Sequence, residues 1–354
     1  LSLKDATAFN IQFEDTWPIF IDLTSIEKPA RLDIWIAYGQ FCRMFLYPLI
    51  LRAHRGVPLP NNFLGSLDGV EVEQVYAILG PLRSFAPDMS LDVGLPFQLN
   101  KKKTSSNETL LKNRVDVQKG GSENSTSQLM NLSRLEKKIL KYKSRVKRSG
   151  LWSDYQKIRN YSDEESRKKR DEIQTFLDAE KPARVLDLGC NTGEFSELAA
   201  KSGARVISVD SDHDCIDHLY LHARENRLSI LPLVVNLSNP SPGLGFRNRE
   251  RSDFMSRING ECVFALALIH HLLITGRIPL PEIRDLFRDL TERWLIVEYI
   301  GREDDMFQTL LALREDIYQD FTKDAFESTF GEAFSIEKQT QLSAHRHLYV
   351  MRKI

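Results

Sequence analysis

The chain has 354 residues, enough for two domains and a substantial core. Its 48 Lys and Arg against 49 Asp and Glu leave a formal charge of -1, so no global field favours nucleic acid or an anionic membrane. The four cysteines, Cys42, Cys190, Cys215 and Cys262, include no C-x-x-C pair; they offer no zinc framework and fit reduced thiols in a cytoplasmic protein.

No basic-then-apolar leader follows Leu1, so no signal peptide is expected, and the absence of an initial Met suggests a fragment. Leu3 to Phe13 reads L-K-D-A-T-A-F-N-I-Q-F, and Pro18 to Ser25 reads P-I-F-I-D-L-T-S. Asp5 and Asn10 stand in D-x-x-x-x-N spacing, and Asp22 ends a second apolar strand. This segment resembles the catalytic and metal-binding stretches of protein-kinase-like and aminoglycoside-phosphotransferase-like folds. The resemblance implies that the first Asp orients an acceptor hydroxyl while the Asn and the second Asp hold Mg²⁺. It departs from that pattern at Leu3 and Lys4, where a His is absent, and at Asp22-Leu23-Thr24, which replaces D-F-G. A degenerate, structural hairpin is therefore expected rather than a working kinase.

Ile34 to Leu51 places Ile34, Trp35, Tyr38, Phe41, Cys42, Phe45, Leu46 and Leu49 near helical spacing. Gln40 and Arg43 interrupt it, so a buried helix is expected, not a membrane span. Pro58, Pro60, Pro81, Pro87 and Pro96 divide the next stretch into short helices and turns. Residues 1 to 99 thus form a small N-terminal α+β accessory domain.

Residues 100 to 150 carry fourteen Lys and Arg against four Asp and Glu. Lys101 to Ser127 has linker composition, too poor in apolar groups to fold alone. Leu132, Leu135, Ile139 and Leu140 predict a helix over the basic stretch Ser133 to Arg148. Basic residues without interleaved aromatics indicate a solvated face, so RNA or DNA binding through residues 101 to 148 is the less favoured reading. Trp152, Tyr155 and Tyr161 then precede a predicted helix, Lys168 to Leu177, which Pro182 ends.

Val185 to Ser196, V-L-D-L-G-C-N-T-G-E-F-S, organises the rest. Val185, Leu186 and Leu188 read as a strand buried on both faces, with Asp187 at its end. Gly189, Asn191, Thr192 and Gly193 turn the chain, and Phe195, Leu198, Ala199 and Ala200 resume at helical spacing. Such a loop opens at the carboxyl end of the first strand of a doubly wound sheet, where ligands bind. The pattern is D-x-G-x-x-x-G rather than G-x-G-x-x-G, so no pyrophosphate cradle is complete. An acid two residues before the loop suits a ligand with a cationic amine. The segment resembles motif I of the class I S-adenosylmethionine (SAM)-dependent methyltransferases. The lid that precedes motif I in many of these enzymes would fall on Leu151 to Ser162, where packing of the aromatics on the sheet is an equal alternative.

The remaining elements arrive as a doubly wound sheet requires. Val206 to Val209 forms a second strand ending at Asp210, an acid able to accept both ribose hydroxyls, with Ser211 beside it. Asp212 and Asp214 cap the next helix. Leu231 to Val235 is a third strand ending at Asn236; the resemblance implies that Asn236 and the backbone of Leu237 meet the adenine. Val263 to Ile269 is the fourth strand, which places Leu268 at the cofactor and His270 and His271 at the motif IV loop, facing the departing methyl group. A histidine there can take the proton of a hydroxyl acceptor, although helix capping or stacking beside the adenine would serve equally. Trp294 to Tyr299 is the fifth strand, with Glu298 either bordering the acceptor pocket or exposed. Ile317 to Phe330 is a helix, and Phe334 to Lys338 with His347 to Met351 close the sheet as an antiparallel pair.

The expected fold class is therefore α/β: a doubly wound, Rossmann-like sheet of seven strands with a terminal antiparallel hairpin over residues 151 to 354, preceded by the smaller N-terminal domain. The H-H-L after strand four and N-P-S-P after strand three also resemble bacterial proteins related to nodulation host-specificity methyltransferases. The implied activity is SAM-dependent O-methylation of a small molecule or sugar, with SAM as cofactor, no metal, no membrane and a cytoplasmic location. No N-P-P-Y-type motif follows strand four, which argues against amino-group methylation of bases or glutamine. A Mg²⁺–nucleotide-binding remnant at the N-terminus and a non-enzymatic SAM- or RNA-binding module are the alternatives.

Overall fold

The computed structural model describes residues 1–29, 32–59, 65–103, 125–145, 162–312 and 314–354. Two compact units are present. One comprises Leu1–Gln12 and Pro18–Arg148, the other Phe13–Trp17 and Ser149–Ile354.

In the first unit β1 (Ser2–Leu3) pairs antiparallel with β4 (Ile26–Glu27); β2 (Ile11–Glu14) lies beside β3 (Trp17–Phe20), and the tip of this ribbon, Phe13–Trp17, is counted with the second unit. The apolar stretch after them is helical only from Tyr38; it passes through a π turn, Cys42–Leu46, into α1 (Tyr47–Arg55), which Gly56 ends in the left-handed conformation. Leu46, Ile50, Leu51, Val75, Met89 and Val93 fill the core between α1, α2 (Val72–Leu79) and the turn before α3 (Leu95–Lys103).

The helix expected over the basic stretch is present, begins earlier, and is part of the core rather than a wholly solvated face. Thr126–Arg145 is a 20-residue helix, α4, whose Leu135 and Tyr142 are buried in this same core. Asp92 is fully buried and takes Arg134 at 2.7 Å through both carboxylate oxygens, together with Lys138 and the Tyr38 hydroxyl. A buried carboxylate must be paired, and α4 supplies the cations. Part of the positive charge that composition assigned to a solvated face thus serves the core. Residues 104–124 and 146–161, including Trp152, Tyr155 and Tyr161 of the expected lid, lie outside the described residues.

The second unit holds a seven-stranded sheet in the order β10-β11-β9-β8-β5-β6-β7. Its parallel strands are β5 (Arg184–Leu188), β6 (Arg205–Asp210), β7 (Ile230–Val234), β8 (Gly260–Ala265) and β9 (Thr291–Ile300). β10 (Phe334–Gln341) and β11 (Arg346–Lys353) add the antiparallel hairpin. Apolar clusters cover both faces: Leu186, Val263, Leu295 and Phe287 on one, Val185, Val206, Phe264 and Ile296 on the other. The strands alternate between the two clusters, as side chains of period two must. The fold is therefore the doubly wound α/β sheet expected from the motif order.

Two boundaries and the setting of one acid differ. The fourth strand stops at Ala265, not Ile269, because Ala267 has φ of 51° and the chain turns there; the histidines open a π turn, His271–Thr275, rather than end a strand. The helix read from Ile317 begins only at Lys323, after the Thr322 N-cap. Glu298, read as bordering a pocket or exposed near a strand end, is fully buried within the ten-residue β9.

Candidate active site

The site is built on the carboxyl ends of β5, β6, β7 and β8. Gly189, with φ of 71°, turns the chain after β5, and its N–H donates to Val209 O at 2.8 Å, locking the loop to β6. Gly193 (φ 83°) begins α6 (Glu194–Lys201); a Cβ there would stand 2.3 Å from Leu219 Cδ1. The second glycine is thus required by packing against α7 (His213–Glu225), and Gly193 does not line the cleft.

A cleft of about 900 Å³ opens over this loop, lined by Asp187, Gly189, Asn191, Asp210, Ser211, Asn236, Leu237, Leu268, His270 and His271 among others. Ten of the eleven site residues read from the sequence therefore face one volume, large enough for a nucleoside cofactor and a small acceptor together.

Asp187 is not at the end of its strand but within it, 2% exposed, and its Oδ2 accepts the Ser196 hydroxyl at 2.5 Å. Burial pushes its carboxyl up to about 6, against the Ser196 hydrogen bond and the nearby Lys169 ammonium. Asp210 accepts the Asn191 N–H at 2.8 Å and the Asp212 N–H at 2.9 Å, and burial raises its pKa as well. Two acids destabilised as anions, side by side in a cleft, form a site for a cation. That donor set fits SAM, which carries an ammonium, a sulfonium and a ribose diol. Asp187 and Asp210 would hold it, with Leu268 packed over Gly189 at 3.1 Å from the position of a Cβ. Asn236 is less available than its sequence position suggested, because its side-chain carbonyl already accepts the Ser238 N–H at 3.0 Å.

The two histidines separate. His270 is 2% exposed and its Nδ1, itself buried, has no hydrogen-bond partner, whereas His271 is exposed, its ring centroid 4.3 Å away. Burial, with His271, Arg346 and Lys169 adding positive charge nearby, holds His270 well below its usual pKa, so it is neutral at pH 7. Burial lowers His271 too.

Sequence reasoning missed the charged wall opposite the loop. Lys169, from α5 (Asp163–Glu180), lines the cleft and pairs with Glu298 at 2.6 Å, both nearly withdrawn from water. Arg346, 3% exposed at the start of β11, pairs with Asp304 at 2.6 and 3.0 Å and stands 4.0 Å from Glu298. No motif spans residues so far apart in sequence; the one local signal was Glu298, an acid inside the apolar run of β9, while Lys169 is one of several basic residues in its helix.

Residues 159–332 match a family described as a methyltransferase domain. The nodulation protein NoeA of Rhizobium meliloti (strain 1021) is 31% identical over 355 aligned residues, which cover 99% of this chain and 73% of NoeA. Among solved structures, magnesium protoporphyrin IX methyltransferase ChlM from Synechocystis PCC 6803 with bound SAM is 16% identical, with 58% of this chain and 93% of ChlM covered at a TM-score of 0.41. The N-methyltransferase NodS from Bradyrhizobium japonicum WM9 is 13% identical, with 54% and 98% covered at a TM-score of 0.40. The chain belongs to the class I SAM-dependent methyltransferases, with SAM as its cofactor.

Proposed function

We propose that residues 151 to 354 catalyse O-methylation of a hydroxyl on a small molecule or sugar. The observation that carries this reading is His270: a buried imidazole with an unpartnered Nδ1, lining the same cleft as Asp187 and Asp210. Bound SAM supplies an electrophilic methyl on a sulfonium. The protein's own contribution is alignment, exclusion of water and removal of a proton. The imidazole is neutral and so has a lone pair for that proton, while its burial and the nearby cations oppose the imidazolium that would form. Lys169 and Arg346, which line the cleft, are paired with Glu298 and Asp304, in keeping with an uncharged acceptor. His271, exposed beside it, borders the entrance.

The four cysteines are unbridged and buried, which supports a cytoplasmic setting. Among the described residues no helix is long and apolar enough to cross a membrane.

The first experiment is calorimetric titration of wild type and Asp210→Ala with SAM and with its demethylated product. Micromolar-range binding that weakens at least tenfold in the variant is expected. A folded wild-type protein that gives no heat with either ligand would rule the activity out. Acceptor screening with His270→Gln is the next step.

A second reading attaches to the first unit, where Asn10 Nδ2 lies 3.4 Å from Asp22 Oδ2 and 3.4 Å from Asp5 O. This supports retained Mg²⁺–nucleotide binding by Asp5, Asn10 and Asp22. Against it, Asp22 Oδ1 accepts from Thr24 and Asp5 Oδ1 from Gln40 at 2.6 Å, and no grouping of three His, Cys, Asp or Glu suited to a metal occurs among the described residues. Metal-dependent ATP binding lost in Asp22→Ala would establish it; its absence in wild type would end it.

A further inference from the structure

Asp187 is the only member of the cofactor set withdrawn so completely from water, and its environment is built from three separate elements. Asp187 on β5 and Ser208 on β6 are register partners, so their side chains leave the sheet on the same face. α6 covers that face and lays Ser196 between them. The Ser208 hydroxyl donates to Ser196 Oγ at 2.8 Å, and Ser196 in turn donates to Asp187 Oδ2 at 2.5 Å. All three residues are buried, the two serines completely. A hydroxyl has one proton to give; Ser208 occupies a lone pair of Ser196 and leaves the Ser196 proton directed at the carboxylate. Hydrogen bonds in such a chain polarise one another in a medium of low dielectric.

We infer that Ser196, itself oriented by Ser208, is a positioning residue that fixes the rotamer of Asp187 and keeps it ionised for the cofactor's ammonium. This rests on the methyltransferase reading and adds to it a hydroxyl relay that sets the pH dependence of cofactor binding.

The other groups facing Asp187 act in known directions. Lys169, from α5, favours the carboxylate, but its ammonium is engaged by Glu298 at 2.6 Å. Asp210, at the end of β6, opposes ionisation as a like charge. The Cys190 thiol, in the loop, is held protonated by burial and contributes no charge. Removal of the Ser196 hydroxyl takes away the largest group opposing desolvation and leaves only Lys169 and the Ser196 backbone N–H on that side, so the carboxyl takes up a proton at higher pH. A protonated Asp187 cannot pair with an ammonium, so affinity is present above the carboxyl's pKa in the free protein and is lost as pH falls through it.

The test is calorimetric titration with SAM between about pH 5 and about pH 8 on wild type, Ser196→Ala, Ser196→Thr and Ser208→Ala. Wild-type affinity should fall through a midpoint near pH 6. Ser196→Ala should move the midpoint upward and weaken binding at neutral pH roughly tenfold. Ser196→Thr, which keeps the hydroxyl, should restore both, and Ser208→Ala should give a smaller shift in the same direction. Affinity that drops by one factor at every pH, or a Thr variant no better than Ala, would mean that Ser196 only packs α6 on the sheet and would overturn the inference. Should Ser196→Ala not fold, an unmoved midpoint in Ser208→Ala would overturn it alone. Wild type that binds SAM at no pH would remove the methyltransferase reading itself, a different result from an unmoved midpoint.

Discussion

Lys169 Nζ stands 2.6 Å from Glu298 Oε2, and the two residues are 5% and 0% exposed. They join α5 to the carboxyl-terminal part of β9 across 129 positions of sequence, beside the buried Arg346–Asp304 pair. Cutting one partner from such a pair strands a charge in a dry interior, which costs more than the pair itself contributes. Lys169→Met should lower unfolding free energy by about 3–5 kcal/mol, and Lys169→Met with Glu298→Met should recover most of it. Urea unfolding of the two singles and the double checks this; equal losses in all three would contradict it.

Asp187→Asn should stabilise the protein while abolishing cofactor binding. The folded carboxyl, pushed up to about 6, lies above its unfolded value of 3.8. Between those values the folded state binds more protons, so its advantage is complete below 3.8 and is lost as pH rises through 6. At pH 7 the ligand-free wild type bears a buried charge that the variant lacks. A gain on the order of 1–3 kcal/mol is expected at about pH 7 and none at about pH 3, read by denaturant titration at both.

His270 has the opposite sign. Its folded pKa is depressed far below 6.5, so the unfolded chain binds the extra proton. Stability is complete above about pH 6.5 and falls as pH drops below it. His270→Gln should flatten that acid limb and, with an acceptor in hand, reduce kcat by roughly 10²–10⁴-fold with cofactor affinity little changed. His271→Gln should flatten the acid limb less and leave kcat little changed.

Gly193→Ala should cost roughly 2–4 kcal/mol, because the backbone is left-handed there and the new methyl would meet Leu219. Leu219→Ala in the same chain should relieve the steric part and leave the backbone part. A thermal-unfolding double-mutant cycle separates the two; strict additivity would place the cost in φ alone.

The glycine loop, the two acids at successive strands and the order of strands and helices were all legible from local pattern. Each is a short-range event: a strand needs its own apolar run, and a turn needs its own glycine. The same locality explains the misplacements. V-F-A-L-A-L-I reads as one strand, but only its first three residues belong to β8; the turn at Ala267 arises from how the loop must pack, which no propensity records. Basic composition marked residues 101 to 148 as a solvated face; most of the helix Thr126–Arg145 is exposed, but Asp92, a buried acid 42 positions upstream of Arg134, draws Arg134 and Lys138 into the core.

What the sequence alone determined, then, is the methyltransferase frame and most of the residues that line its cleft, because these lie within one strand–loop–helix unit or at the ends of its immediate neighbours. The tertiary structure alone decided which histidine is buried, that Glu298 is paired rather than exposed, and that Ser196 and Ser208 converge on Asp187. The reason is physical: burial, pairing and pKa are properties of what surrounds a side chain, and here the surroundings come from α5, α6, β6, β9 and β11 together.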